Sequence, residues 1–138
     1  HGVINLHSGL LPDYRGVMAT FRAMLNGDSE IASTLHFIQD SGVDTGDIIS
    51  ILPIPVAAEK SYLFNVLNLY AGGCEQILQA VAAIDAGQSL ATQSQRGAAG
   101  YFSFPTEQKL QVFFTRGQRL FDSADGDADN SHSNSLHN

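Results

Sequence analysis

Apolar residues fall into two patterns along this chain: short β-branched runs, and longer stretches with three- and four-residue periodicity. Loops rich in Gly, Pro and Asp separate them. Gly2 to Leu6 reads as a short buried strand. Leu10 to Gly16 is a loop punctuated by Pro12 and Gly16. Val17 to Asn26 reads as a helix with Val17, Phe21, Met24 and Leu25 on one face, and Gly27 suits a left-handed C-terminal cap. Ile31 to Gln39 reads as a second, central strand. Asp40 to Asp47 is a tight loop holding Gly42 and Gly46. Ile48 to Val56 is a third strand, whose Pro53 and Pro55 make its later half an edge or an exit.

The longest periodic segment is Ser61 to Ala86, where Leu63, Val66, Leu67, Tyr70, Cys74, Ile77, Leu78, Val81 and Ile84 recur at helical spacing. Gly72-Gly73 weakens its middle by about 1 kcal/mol per Gly relative to Ala and marks either a kink or a close helix–sheet contact. Gly87 is the expected cap. Gln88 to Thr106 is loop-like, with Tyr101 to Thr106 as its ordered portion, and Gln108 to Phe121 is a final helix or strand. Asp122 to Asn138, rich in Asp, Ser and Asn, reads as a disordered tail. Strand, helix, strand, strand, helix is an α/β order. Residues 1–121 are expected to be one part of a domain and 122–138 its tail. Because the first strand has little to pair with and the chain opens on His1 without a signal-like segment, it is expected to begin inside a larger fold.

Composition narrows the classes. A hydrophobic fraction of 43% supports a packed core. The net charge is −7, with Asp122, Asp125, Asp127 and Asp129 contributing to it beyond residue 121 and no basic stripe anywhere, so strong nucleic-acid binding by this chain is not expected. No apolar run approaches the roughly 18 residues of a membrane span. The lone Cys74 excludes an internal disulfide framework and a Cys-rich zinc site, and fits a cytoplasmic protein. The oligomeric state is not legible.

Two places could carry chemistry. Asn5 and His7 are two apart, so on a strand they project to the same side, at the end where open α/β sheets bind ligands. Asp44 lies in Ser41-Gly42-Val43-Asp44-Thr45-Gly46-Asp47. Its plain reading is a turn former; if the loop folds back beside His7, its carboxylate can fix the imidazole tautomer and raise its basicity.

These residues carry a resemblance. Asn5-Leu6-His7-Ser8-Gly9-Leu10-Leu11-Pro12-Asp13-Tyr14-Arg15-Gly16 resembles the Asn-x-His-x-Ser-Leu-Leu-Pro stretch of folate-dependent formyltransferases. Leu25-Asn26-Gly27-Asp28 is similar to the end of the helix that follows it in that family, and Val43-Asp44-Thr45-Gly46-Asp47-Ile48-Ile49 to the loop bearing its third catalytic residue. The match runs over roughly residues 1–90, with a weaker one at Tyr101 to Thr106. The family includes methionyl-tRNA, glycinamide ribonucleotide and sugar N-formyltransferases.

The resemblance implies a Rossmann-like, mostly parallel sheet, lacking the N-terminal part of the domain, and 10-formyltetrahydrofolate as formyl donor. By motif position Asn5, His7 and Asp44 are its catalytic residues. Leu10, Leu11, Asp40, Ser41, Gly42 and Val43 resemble the walls of its pterin pocket; Arg15, Thr34 and His36 fall at positions near substrate. The plain alternatives are a solvated charge for Arg15 and a core-facing histidine for His36. One departure is visible: the usual Ser is Gly9 here, with Ser8 one place earlier.

The leading expectation is formyl transfer to the primary amine of a small substrate, an amino sugar, with no metal. The Tyr14-Arg15-Gly16 form resembles the sugar and methionyl-tRNA branches, and the charge argues against tRNA. The alternatives are a fragment of a methionyl-tRNA formyltransferase and a folate-binding remnant without turnover. A metal site from His7, His36 and Asp44 lacks compact ligand spacing, and Ser8 lacks a nucleophile-elbow sequence.

Overall fold

The computed structural model describes residues 2–126. Strand β1 (Val3–His7) leads through a loop and the two-residue β2 (Arg15–Gly16) into helix α1 (Ala19–Asn26). Strands β3 (Glu30–Ile38) and β4 (Ile48–Pro55) follow, then helices α2 (Tyr62–Asn68) and α3 (Tyr70–Asp85), the short β5 (Tyr101–Phe102) and helix α4 (Glu107–Thr115). The mixed α/β order is as expected, with β3 between β1 and β4. The tail expectation is met differently: residues 123–126 form a helical turn, and Asp125 accepts the Ser61 N–H at 3.0 Å. The rest of the expected tail lies outside the described residues.

The expected mostly parallel sheet is corrected. Both pairings of the three-stranded sheet are antiparallel, and only the β2–β5 contact is parallel. The β3–β4 connection explains half of this: the loop is too short for the crossover that parallel neighbours need.

Register gives the sheet two unlike faces. β1 pairs with β3 so that Asn5 faces His36 and His7 faces Thr34, while Leu6 faces Leu35 and Ile4 faces Phe37. One face is therefore polar and the other apolar, and a one-residue slip would exchange them. Helix α3 lies on the apolar face. It docks through small residues, since a Cβ at Gly73 would press on Leu6 and one at Gly72 would overlap Leu52. The Gly pair thus marks a close helix–sheet contact, and the break falls earlier, at Leu69 between α2 and α3. Leu78, Val81 and Ile84 of the periodic set face outward.

The principal apolar core lies beside the sheet. Phe21, Met24 and Leu25 of α1 meet Phe113 of α4, with the Phe21 and Phe113 ring centroids 4.6 Å apart. Of the two readings for Gln108 to Phe121 the structure takes the helix, and Gly117, at φ +77°, lies just past its end and lets the chain turn. Gly27 closes α1 in the same conformation, as expected. The helix itself starts at Ala19, two residues later than periodicity predicts, because Met18 takes a left-handed conformation.

Candidate active site

The polar face of the sheet is covered by two loops. The first runs from Ser8 to Tyr14. Thr34 on β3 anchors it: its hydroxyl donates to the Gly9 carbonyl at 2.6 Å and lies 3.4 Å from the Leu11 amide. Thr34 is fully buried, so the position expected near substrate braces the loop instead. Leu11 is buried as well, and Leu10 faces a hollow of about 20 Å³ with Tyr14 and Ala19. Neither leucine lines the cleft where Asn5 lies.

That cleft, of about 220 Å³, is lined by Asn5, His36 and the second loop, including Gly42, Val43, Asp44 and Thr45. Asp40 organises this loop. Its carboxylate accepts the Gly42 N–H and the Thr45 hydroxyl, each at 2.8 Å. Those bonds hold its exposed carboxyl below the usual carboxylate range. Gly46 is required where it stands, because a Cβ would overlap the Phe37 carbonyl oxygen.

Asp44 sits at φ +54°, a left-handed conformation uncommon for a side-chain-bearing residue. From there its carboxylate reaches three groups. Oδ2 accepts the Gly16 N–H at 2.9 Å and lies 3.6 Å from His7 Nδ1; Oδ1 lies 3.5 Å from His36 Nε2. Burial pushes the Asp44 carboxyl up, but the His36 hydrogen bond, the Gly16 amide and the two imidazoles together hold it below its ordinary value. The Asp44 hydrogen bond raises His36, against the opposing effect of burial, and the Phe37 carbonyl adds to the rise.

Carbonyl partners fix the imidazole tautomers, since a carbonyl only accepts. His7 Nε2 faces the Tyr14 carbonyl at 2.6 Å and so carries a proton, leaving Nδ1 toward Asp44. His36 Nδ1 faces the Phe37 carbonyl at 2.9 Å, so its Nε2 is the variable atom. It accepts from Asn5 Nδ2, 3.2 Å away, when neutral, or donates to Asp44 when protonated. Gly9 completes the setting: a Cβ there would fall 2.5 Å from the Ala19 Cβ and 2.6 Å from His7 Nε2, so the packing excludes a side chain at this residue.

The structure thus sets His7 directly beside Asp44 and joins Asn5 to Asp44 through His36, which is only 2% exposed and belongs to the cluster rather than to an apolar core. Arg15 is half-buried and pairs with a residue far along the chain. Its Nε and Nη2 donate to Gln95 Oε1 at 3.1 and 2.7 Å. Sequence reasoning missed Gln95, which lies in a loop with no motif around it. Among the described residues no group of three or more His, Cys, Asp or Glu could hold a metal ion, and no helix is long and apolar enough to cross a membrane.

The formyl transferase family model matches residues 1–63. The methionyl-tRNA formyltransferase of Chromobacterium violaceum is 37% identical over 84 residues, which are 61% of this chain and 27% of that enzyme. An N-formyltransferase from Helicobacter canadensis, solved with folinic acid and dTDP-3-aminofucose, is 29% identical; the alignment covers 78% of this chain and 38% of that one, with a TM-score of 0.63. The formyltransferase PseJ from Anoxybacillus kamchatkensis shares the fold, with 23% identity, a TM-score of 0.70, and 85% and 60% of the two chains covered. This chain spans well under half the length of the curated relatives it matches, from 25% to 40%. Over these stretches the chain is similar to part of the folate-dependent formyltransferase domain.

Proposed function

We propose that the complete protein transfers a formyl group from 10-formyltetrahydrofolate to the primary amine of a small substrate, an amino sugar. The observation that carries this reading is the Asp44 carboxylate held between two imidazoles, with the Asn5 amide in the same cleft.

In this mechanism the amine nitrogen attacks the formyl carbon and the carbonyl oxygen takes the negative charge. Asn5 donates a hydrogen bond to that oxygen; a preorganised donor of this kind contributes about 3–4 kcal/mol. The new C–N bond forms, the bond to the folate N10 breaks, and the proton lost by the amine ends on N10. His7 carries that proton, turning from the Tyr14 carbonyl to do so, and Asp44 steadies the imidazolium. His36 sets when Asn5 is free. Once His36 is protonated and donates to Asp44, Asn5 loses its acceptor and its N–H turns to substrate. The loop from Asp40 to Val43 forms the folate wall. In this reading the chain is part of a Rossmann-like domain.

The acidic chain favours a small acceptor over tRNA, as does the Helicobacter canadensis relative solved with a sugar nucleotide. The second reading, methionyl-tRNA formylation, rests on the 37% identity to the Chromobacterium enzyme. The complete protein given 10-formyltetrahydrofolate with either a dTDP-amino sugar or methionyl-tRNA decides between them by which acceptor gains mass 28. Release of formate alone, with neither acceptor modified, would refute both and leave a hydrolytic or binding role.

A further inference from the structure

Asp44 holds a left-handed backbone conformation, and such a residue keeps it only where its surroundings over-determine it. The source of that constraint lies far along the chain. The Gln95 side-chain amide donates both hydrogens to the loop, one to the Asp44 carbonyl at 2.7 Å and the other to the Gly46 carbonyl at 2.8 Å. Its oxygen is taken by Arg15. A guanidinium only donates, so Arg15 forces Oε1 toward itself and the NH₂ group toward the loop. The amide cannot turn over without losing four hydrogen bonds.

The clasp is itself anchored at both ends. Gln93 pairs with Ile48 through two backbone bonds of 2.8 Å, tying the segment to β4. Arg15 is held by the β2–β5 pairing, where Gly16 lies so close to Phe102 that a Cβ would overlap its carbonyl. Gly16 then gives its own N–H to the Asp44 carboxylate. One side of the clasp fixes the Asp44 backbone and the other fixes its carboxylate.

We propose that Gln95, oriented by Arg15, is a positioning residue that sets the Asp44 carboxylate between His7 and His36. This deepens the formyl-transfer reading and rests on it. Asp44 is faced by His7 from β1, His36 from β3 and the Gly16 amide from β2; Gln95 faces only its backbone, and Arg15 reaches it only through Gln95. Gln95 therefore touches none of the groups expected to react.

Two variants in the complete protein test this. Gln95→Met keeps the length and removes every hydrogen bond. Gln95→Glu keeps the Arg15 contact, now as an ion pair, and loses both donors to the loop. If residue 95 served only to tie down Arg15, the Glu variant would be as active as wild type. The expected result is that both variants lose about 10- to 100-fold in kcat, the usual effect of removing an outer partner that orients a reacting group, with KM for the amine unchanged. In the substrate-free Met variant, the imidazole ¹⁵N titration of His36 moves down toward the ordinary histidine value. Wild-type kcat in the Glu variant, or an unmoved His36 titration in the Met variant, overturns the proposal. The titration needs no substrate. A wild-type protein that transfers no formyl group therefore sinks the formyl-transfer reading while the spectra still decide the role of Gln95.

Discussion

Two buried regions of this protein are built on opposite terms. Beside the sheet, Phe21, Met24, Leu25 and Phe113 pack against one another with Tyr62 and Leu110 at their rim. On the sheet's polar face, His7, Thr34 and His36 are equally shielded, yet their partners are carbonyls, a carboxylate and an amide. Each region draws on segments distant in sequence. Carbon contacts have no preferred direction, so the first region accepts any shape of about the right volume. Every contact in the second has a donor, an acceptor and an angle, so one lost partner leaves another unsatisfied. The apolar region supplies stability and the polar one supplies geometry, and perturbing them should give separable results.

The largest effect is expected from His7→Ala. Removing a positioned proton carrier lowers formyl transfer about 10²- to 10⁴-fold, with a smaller loss of stability, about 1–3 kcal/mol, from the Tyr14 carbonyl left without its partner; transfer near the wild-type rate would remove His7 from the mechanism. Phe113→Ala inverts the signature. A fully buried aromatic is deleted, at a cost of about 3–5 kcal/mol, while activity per folded molecule stays within a few-fold, as read by urea titration beside an active-site count. A collapse of activity in the folded fraction would show that the two regions are coupled.

Asp44→Asn falls between them and depends on pH. The Asp44 carboxyl is lowered, so its contribution is present above its ordinary value of 3.8 and is lost as pH falls through the depressed one. His36 is raised, so its contribution is complete below 6.5 and is lost as pH rises through the raised value. Both operate between about pH 4 and 6.5. There the substitution should cost about 1–3 kcal/mol, less at higher pH, measured by denaturant unfolding across pH. A cost independent of pH would mean that Asp44 and His36 do not interact as a charged pair. The smallest effect is expected at a helix end. The Thr106 side chain caps α4 by accepting the Lys109 N–H, and Thr106→Ala should cost about 1 kcal/mol with activity intact.

How far the sequence reached differs between these regions for a physical reason. Elements were legible where their signals are local: the β-branched runs of β1 and β3, the periodicity of α1, and Gly27 and Gly87, both at positive φ after their helices. Exposure within α3 was not legible, because periodicity marks an apolar stripe but not which face docks, and the Gly72-Gly73 face lies close to the sheet. Asn5, His7 and Asp44 could be singled out because a spaced motif surrounds them. Thr34 was assigned to substrate and braces a loop; Arg15 was assigned to substrate and orients an amide.

The sequence alone determined the mixed α/β order, the alternation that gives β1 and β3 one polar and one apolar side, and the residue types able to carry acyl chemistry. These follow from side-chain period and local backbone preference, which each short stretch holds within itself. Only the tertiary structure decided that both sheet pairings are antiparallel, that His36 joins the cluster, and that Gln95 clasps the Asp44 loop. Strand direction and long-range hydrogen bonds depend on where distant segments meet, and no local pattern encodes that meeting.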